Sequence, residues 1–375
     1  MLTRSIFATV LAVAALAALP GGAAAAPASS GAVVFSKLVA DSAEYETAQG
    51  EKFVKPPEGG LFAAKGGRLN QLTENPTDSQ PDFSPDGRLI AFVRDGDVHL
   101  MRADGSGQRA LTSGPEIDGR PLFAPNGRYL LFERRAAAGE RRDLHTVRLG
   151  GSTPRRLVHY LADEAEATFS PDGRTIAFVI PGGSGAGATD EIYTVRPSGA
   201  RLRGVSHTGP VDEFAPRFFA RGIVFSRGRS GEGSGAYADV YTSLADGRRP
   251  RPLVRGAGSA YVEDVSANGR MLLFRRAQGL WVKRLPGSRG PKRAGKLTEV
   301  ADQSQTNAVF SSDGREVAAF AATETATEAR QTLTAVAVAG GRDRALAAGF
   351  SFAQGTLTTA IGPVIAWQPA PRRGR

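Results

Sequence analysis

The chain has no cysteine, which removes disulfide frameworks, thiol nucleophiles, cysteine-ligated metals and a lipidation site at a leader junction. Only four histidines are present, and no His-Glu-x-x-His, calcium loop or phosphate-binding glycine motif occurs. The glycine-rich stretches Gly182-Gly183-Ser184-Gly185-Ala186 and Gly228-Arg229-Ser230-Gly231-Glu232 both miss the last glycine of a Gly-x-Ser-x-Gly elbow, so α/β-hydrolase serine chemistry is excluded. Beyond the first 26 residues no apolar run is long enough to span a bilayer. Lysine is scarce, with 7 Lys against 40 Arg. Aromatic and basic residues are not interleaved as a single-strand stacking platform needs, so no nucleic-acid partner is expected.

What is present begins with a leader. Arg4, an apolar run from Ile6 to Leu19, Pro20-Gly21-Gly22 and a run of alanines read as a secretory signal over residues 1–26. The mature chain is then expected to be exported, to the periplasm or to the extracellular cell surface, with no transmembrane segment left. The net charge of +10 becomes +9 without Arg4. A charge of that size is compatible with attraction to an anionic polymer, although clusters such as Arg134-Arg135 and Arg248-Arg249 sit at strand ends and turns, where solvated charge is ordinary.

The dominant feature is a repeat. Phe83-Ser84-Pro85-Asp86-Gly87-Arg88 returns as Phe169-Ser170-Pro171-Asp172-Gly173-Arg174, with weaker copies from Phe123, Phe218, Val265 and Phe310 and a half copy at Trp367-Gln368-Pro369. The steps between these positions are 40, 46, 49, 47, 45 and 57 residues, the period of propeller blades. A short apolar run such as Leu89-Ile90-Ala91-Phe92 or Tyr129-Leu130-Leu131-Phe132 follows each copy and reads as a strand. The Asp-Gly or Asn-Gly before it supplies the positive-φ position of a hairpin. A third strand and a short outer strand complete four per period, which predicts an all-β, four-stranded-blade propeller over residues 31–369, with a basic tail at 370–375.

The ends of the chain settle how the ring should close. The first module has strands at Ala32-Val33-Val34-Phe35, Leu61-Phe62-Ala63-Ala64 and Arg68 to Thr73, but no inner strand, while Val364 to Pro369 is an orphan. A C-terminal strand completing the first blade removes exposed sheet edges. Seven blades are preferred. Six stays open, because residues 299–363 are the least regular.

The repeated Phe-Ser-Pro-Asp-Gly-Arg-x-Ile-Ala-Phe, followed by Asp-Val-His-Leu-Met-Arg-Ala-Asp-Gly and Leu-Thr, resembles the WD40-like repeat of the TolB-type β-propellers. The resemblance implies a propeller in the cell envelope. It does not extend to the α/β domain that TolB places ahead of its propeller, because the stretch between leader and first strand is too short for one. Similar repeats form the propellers of prolyl oligopeptidase and dipeptidyl peptidase IV relatives, and the hydrolase domain that follows those propellers is not expected here.

Within a blade, the two short glycine turns fall at one end of the ring. The other end gathers the long loops, where binding residues concentrate on a rigid scaffold. On it, five residues before the inner-strand aromatic, lie Asp78, Asp118, Glu164 and Glu213, with Ala260 and Gln305 breaking the column. An acid there commonly caps backbone N–H groups, and this outweighs the reading of a carboxylate ring for a cation. His99 and His145 align with Tyr193, Tyr241 and Trp281 and are expected to pack blades. His159, beside Tyr160, and His207 lie in interblade loops of the same end, as does Tyr261 nearby in register. The expected ligand-binding set is therefore Asp78, Asp118, His159, Tyr160, Glu164, His207, Glu213 and Tyr261, with no metal, no cofactor and no catalytic residue. The preferred function is a monomeric, non-enzymatic propeller that binds an envelope protein or glycan. The alternative is a polysaccharide lyase-like enzyme acting on an anionic glycan with a His-bound metal.

Overall fold

The computed structural model describes residues 31–39, 44–46, 52–54, 58–65, 68–136, 141–151, 153–158, 163–182, 189–205, 211–229, 238–255, 259–276, 279–285, 308–324, 328–338, 344–345, 350–353 and 365–367. The leader over residues 1–26 and the tail over 370–375 lie outside them. All regular structure among the described residues is β.

Among the described residues, seven antiparallel sheets follow one another along the chain, beside a small hairpin of Glu44–Glu46 with Lys52–Val54. The second blade shows the pattern: Ser79–Phe83, Leu89–Arg94, Asp97–Arg102 and Arg109–Ala110, each hydrogen-bonded to the next. The third, fourth and fifth blades repeat it from Ile117–Phe123, Ala165–Phe169 and Val211–Phe219. The sixth blade has three described strands, Ala260–Val265, Met271–Arg276 and Gly279–Arg284, and its expected outer strand at Lys296-Leu297-Thr298 lies outside the described residues. The seventh is built on the long pair Glu316–Glu324 and Glu328–Ala337. In the first blade, Ile365–Trp367 pairs with Val33–Val39, with Val33 opposite Trp367 and Phe35 opposite Ile365. This is the pairing expected of a ring closed by its last strand.

The apolar alternation explains why the sheets stack. Along Leu89–Arg94, Ile90 and Phe92 face the first blade with Val34, Leu61 and Ala366. Ala91 faces the third blade with Leu130 and Phe132. Seven such clusters lie between successive blades, and the one joining Ala318 and Leu333 of the seventh to Val33, Phe35 and Ala64 of the first brings the series back to its start. One fully buried phenylalanine in each of the first five blades, at Phe35, Phe92, Phe132, Phe178 and Phe225, anchors these layers.

The repeated turn is more elaborate than a two-residue hairpin. Only its glycine has positive φ, at 70° in Gly87 and 67° in Gly173, and its N–H donates to the carbonyl three residues back. In Ser84-Pro85-Asp86-Gly87-Arg88, the Ser84 hydroxyl donates to Asp86 Oδ1 at 2.6 Å, and the same oxygen accepts from Arg88 N–H at 3.1 Å. Ser84 Oγ in turn accepts from Leu89 N–H at 2.9 Å. Ser170/Asp172, Ser266/Asn268 and Ser311/Asp313 repeat the network, which is why serine and Asp/Asn recur at those positions.

A second glycine holds neighbouring blades together. A Cβ on Gly247 would sit 2.2 Å from the Val205 carbonyl oxygen of the preceding blade, and one on Gly199 would sit 2.4 Å from that of Leu157. Gly151 has nearly the same φ, 83° against 82°, but open space around it. Both Gly→Ala variants incur a left-handed cost of about 1 kcal/mol. Gly247→Ala is expected to lose on the order of 1–3 kcal/mol more than Gly151→Ala from overlap with the neighbouring backbone, read as the difference in urea midpoints.

Candidate functional site

The acid column is buried, and three of its members pair with an arginine of their own blade, the fourth with the backbone of the preceding blade. Asp78, Asp118, Glu164 and Glu213 are 0–2% exposed. Arg94 meets Asp78 with two hydrogen bonds of 2.6 and 2.7 Å, and Arg134 meets Asp118 with two of 2.7 and 2.8 Å. Arg227 Nε donates to Glu213 at 2.7 Å. Each guanidinium also lies over the phenylalanine two residues earlier in its strand, 5.3 Å from Phe92, 5.4 Å from Phe132 and 5.5 Å from Phe225. The fourth blade has Ile180 where the others have this arginine, and there Glu164 accepts from the backbone N–H of Leu144 at 2.8 Å. These acids tie the start of each innermost strand to its neighbours. The Phe-x-Arg spacing in the second strand was the sequence signal for the pairing.

Of the other sequence-predicted residues, Tyr261 packs against Phe214 with ring centroids 5.8 Å apart and lies under Arg275 at 5.1 Å. His159, Tyr160 and His207 lie outside the described residues. His99 and His145 pack on Phe92 and Phe132, at 5.5 and 5.8 Å. No group of three His, Cys, Asp or Glu side chains forms a metal-binding arrangement among the described residues.

The wall facing the ring axis carries features not legible as a motif. Each of four innermost strands has a β-bulge at a residue of positive φ: Gln80 (53°), Arg120 (48°), Glu166 (53°) and Ala215 (51°). Side chains in this region link one blade to the next. Gln80 accepts from Arg120 N–H at 2.5 Å, Glu133 from Glu166 N–H at 3.1 Å, and Glu166 from Ala215 N–H at 2.6 Å. Non-glycine residues held in this region of φ concentrate at functional sites.

Around Glu166 the charges are uneven. Glu133 is met by Arg120 at 3.9 Å and Arg142 at 3.6 Å. Asp190 and Asp212 lie beside each other, with Asp190 N–H donating to Asp212 Oδ1 at 3.1 Å. Burial pushes the Asp190 carboxyl above its ordinary value, and the Asp212 and Glu166 carboxylates add to the rise against a hydrogen bond from Gly182. Among the described residues Glu166, Asp190 and Asp212 make no ion pair. All three stand at the long-loop end, at or next to the starts of Ala165–Phe169, Glu191–Val195 and Val211–Phe219.

One carboxylate of the wall gives a pH signature. Asp82 is half-buried as a residue, but its carboxylate lies in the seam between blades, accepts from Phe123 N–H at 2.7 Å, and is pushed up by burial to about 7. A carboxyl with a raised folded-state pKa binds protons more readily folded than unfolded. Its stabilising contribution is therefore present below its ordinary value near 3.8 and lost as pH rises through about 7. Asp82→Asn keeps the acceptor without the charge. It is expected to stabilise the protein at pH 8 relative to wild type and to change little at pH 4, as read from denaturant midpoints.

With this geometry in place, comparison with known proteins defines the fold class. No family model matches the chain. A segment of 63 residues is 48% identical to the Tol-Pal system protein TolB of Gluconobacter oxydans, covering 16% of this chain and 14% of that protein. Among solved structures, TolB from Acinetobacter baumannii superposes with a TM-score of 0.50 at 14% identity, over 87% of this chain and 82% of that one. An oligogalacturonate lyase in complex with manganese gives 0.58 at 11% identity, over 75% and 85%. A puromycin hydrolase gives 0.59 at 17% identity, over 77% of this chain and 50% of that one. Identities this low share the propeller fold across unlike activities.

Proposed function

We propose that this chain, a TolB-like β-propeller by its repeat and its fold, is an exported, non-enzymatic binding module of the cell envelope whose long-loop end receives a cationic segment of a partner protein. The observation that carries this reading is the group Glu166, Asp190 and Asp212. Three carboxylates share one end of the ring without an ion pair among the described residues, and burial raises one of them, Asp190, with the other two adding to the rise. An arriving ammonium or guanidinium relieves that repulsion. The column of Asp78, Asp118 and Glu213 differs in that its charges are held by arginines. The Gluconobacter relative and the leader both favour the envelope as the compartment.

The test is capture from an envelope extract with the purified protein and with a Glu166→Gln, Asp190→Asn, Asp212→Asn variant, which removes charge while keeping hydrogen-bond acceptors. A partner retained by the wild type and lost by the variant supports the reading. Equal retention contradicts it.

A further inference from the structure

We infer that a second binding site, for a compact organic anion with a carboxylate or phosphate head, lies in the groove between the outer strands of the fourth and fifth blades. A cavity of about 430 Å³ opens there, lined by Arg203 and Val205 of one blade and by Phe225, Arg227, Asp246 and Arg248 of the next. The volume falls in the range of small-molecule pockets.

The chemistry of the lining points to an oxyanion. Three guanidinium groups line the cavity, against the carboxylates of Asp246 in the wall and Glu213 behind Arg227. Arg227 is held in place by Glu213 and by stacking 4.2 Å over the Tyr241 ring. Arg248 uses Nε on Asp246 at 2.6 Å, and its side chain stays 73% exposed. Planar guanidinium forks match carboxylate and phosphate oxygens in pairs. The buried Phe225 and Val205 offer an apolar floor on which a ring or short carbon skeleton can rest.

Comparison with the other grooves of the same ring shows what is special here. Outer-strand arginines at the position of Arg203 reach the turn of the next blade: Arg109 donates to the Leu149 carbonyl, and Arg155 to the Pro197 carbonyl at 3.5 Å. Arg203 occupies the same strand position, opposite Thr194 as Arg155 is opposite Thr146, yet donates no hydrogen bond among the described residues. The turn it faces carries Arg248, where the chain has Ser152 after the turn glycine faced by Arg109 and Ala200 after the one faced by Arg155. The groove therefore adds one arginine and leaves another without the carbonyl used elsewhere. None of Glu166, Asp190 and Asp212 lines this groove, and its test alters none of them.

The test is calorimetric titration of the purified protein at low ionic strength with glucuronate, glucose 1-phosphate and glucose. Saturable binding of either anion, with none of neutral glucose, is expected, and the stronger of the two identifies the head group. Arg203→Gln with Arg248→Gln, both exposed positions, should weaken that binding about tenfold or more with an unchanged melting temperature. Absence of saturation by both anions overturns the site, as does undiminished affinity in the double variant.

Discussion

Ending the chain before Val364 is expected to open the ring and lower the melting temperature by roughly 10 °C or more, because each kcal/mol lost in a domain of this size shifts it by about 2–4 °C. The truncation removes the only strand seen beside Val33–Phe35 on the axis side of the first blade. It also takes Ala366 from the cluster that holds Val34, Leu61, Ile90 and Phe92, and it exposes a sheet edge that the closed ring hides. The cluster joining the seventh blade to the first, through Ala318, Leu333, Val33 and Phe35, then has to hold the ring without the clasp. A truncated protein that melts with the full chain would contradict closure at this seam.

Breaking one buried ion pair gives the second large effect. The Asp118 side chain has no exposure, and Arg134 is its bidentate partner. Arg134→Leu strands a carboxylate away from water, a change expected to cost on the order of 3 kcal/mol or more. Asp118→Leu with Arg134→Leu removes both charges and is expected to recover most of that loss, since an apolar pair of similar volume avoids the desolvation of both groups. Urea unfolding of the two variants beside wild type measures the difference. If the double variant is as unstable as the single, the pair is holding more than its own charge.

Much of the architecture was legible in the chain because each blade is written by local chemistry. The serine and the Asp or Asn of the turn fix its hydrogen bonds, the glycine supplies its positive φ, and the alternating apolar run that follows can bury two faces only by stacking between neighbours. The orphan at Val364 to Pro369 identified the closing strand for the same reason: a strand without partners in sequence must find them at the other end of the chain. The acid column was visible as a pattern, but the arginines that hold three of its members were not. Those arginines lie 14 to 16 residues later, a distance set by the hairpin rather than by any contiguous motif. The carboxylate group of Glu166, Asp190 and Asp212 was not legible. It depends on a bulge that turns Glu166 and on two different blades meeting at one end, neither of which leaves a periodic trace. The groove between the fourth and fifth blades was hidden likewise, because its arginines look like ordinary turn and strand-end charges until the blades are stacked.

The account of function rests on a cation being drawn to Glu166, Asp190 and Asp212, and a tetralysine peptide measures that directly. Titrated at low ionic strength, it should bind the wild-type protein and lose affinity about tenfold or more in the Glu166→Gln, Asp190→Asn, Asp212→Asn variant, while a tetraglutamate peptide leaves this end of the ring unaffected. Equal affinity of tetralysine for the wild type and the variant would contradict the claim.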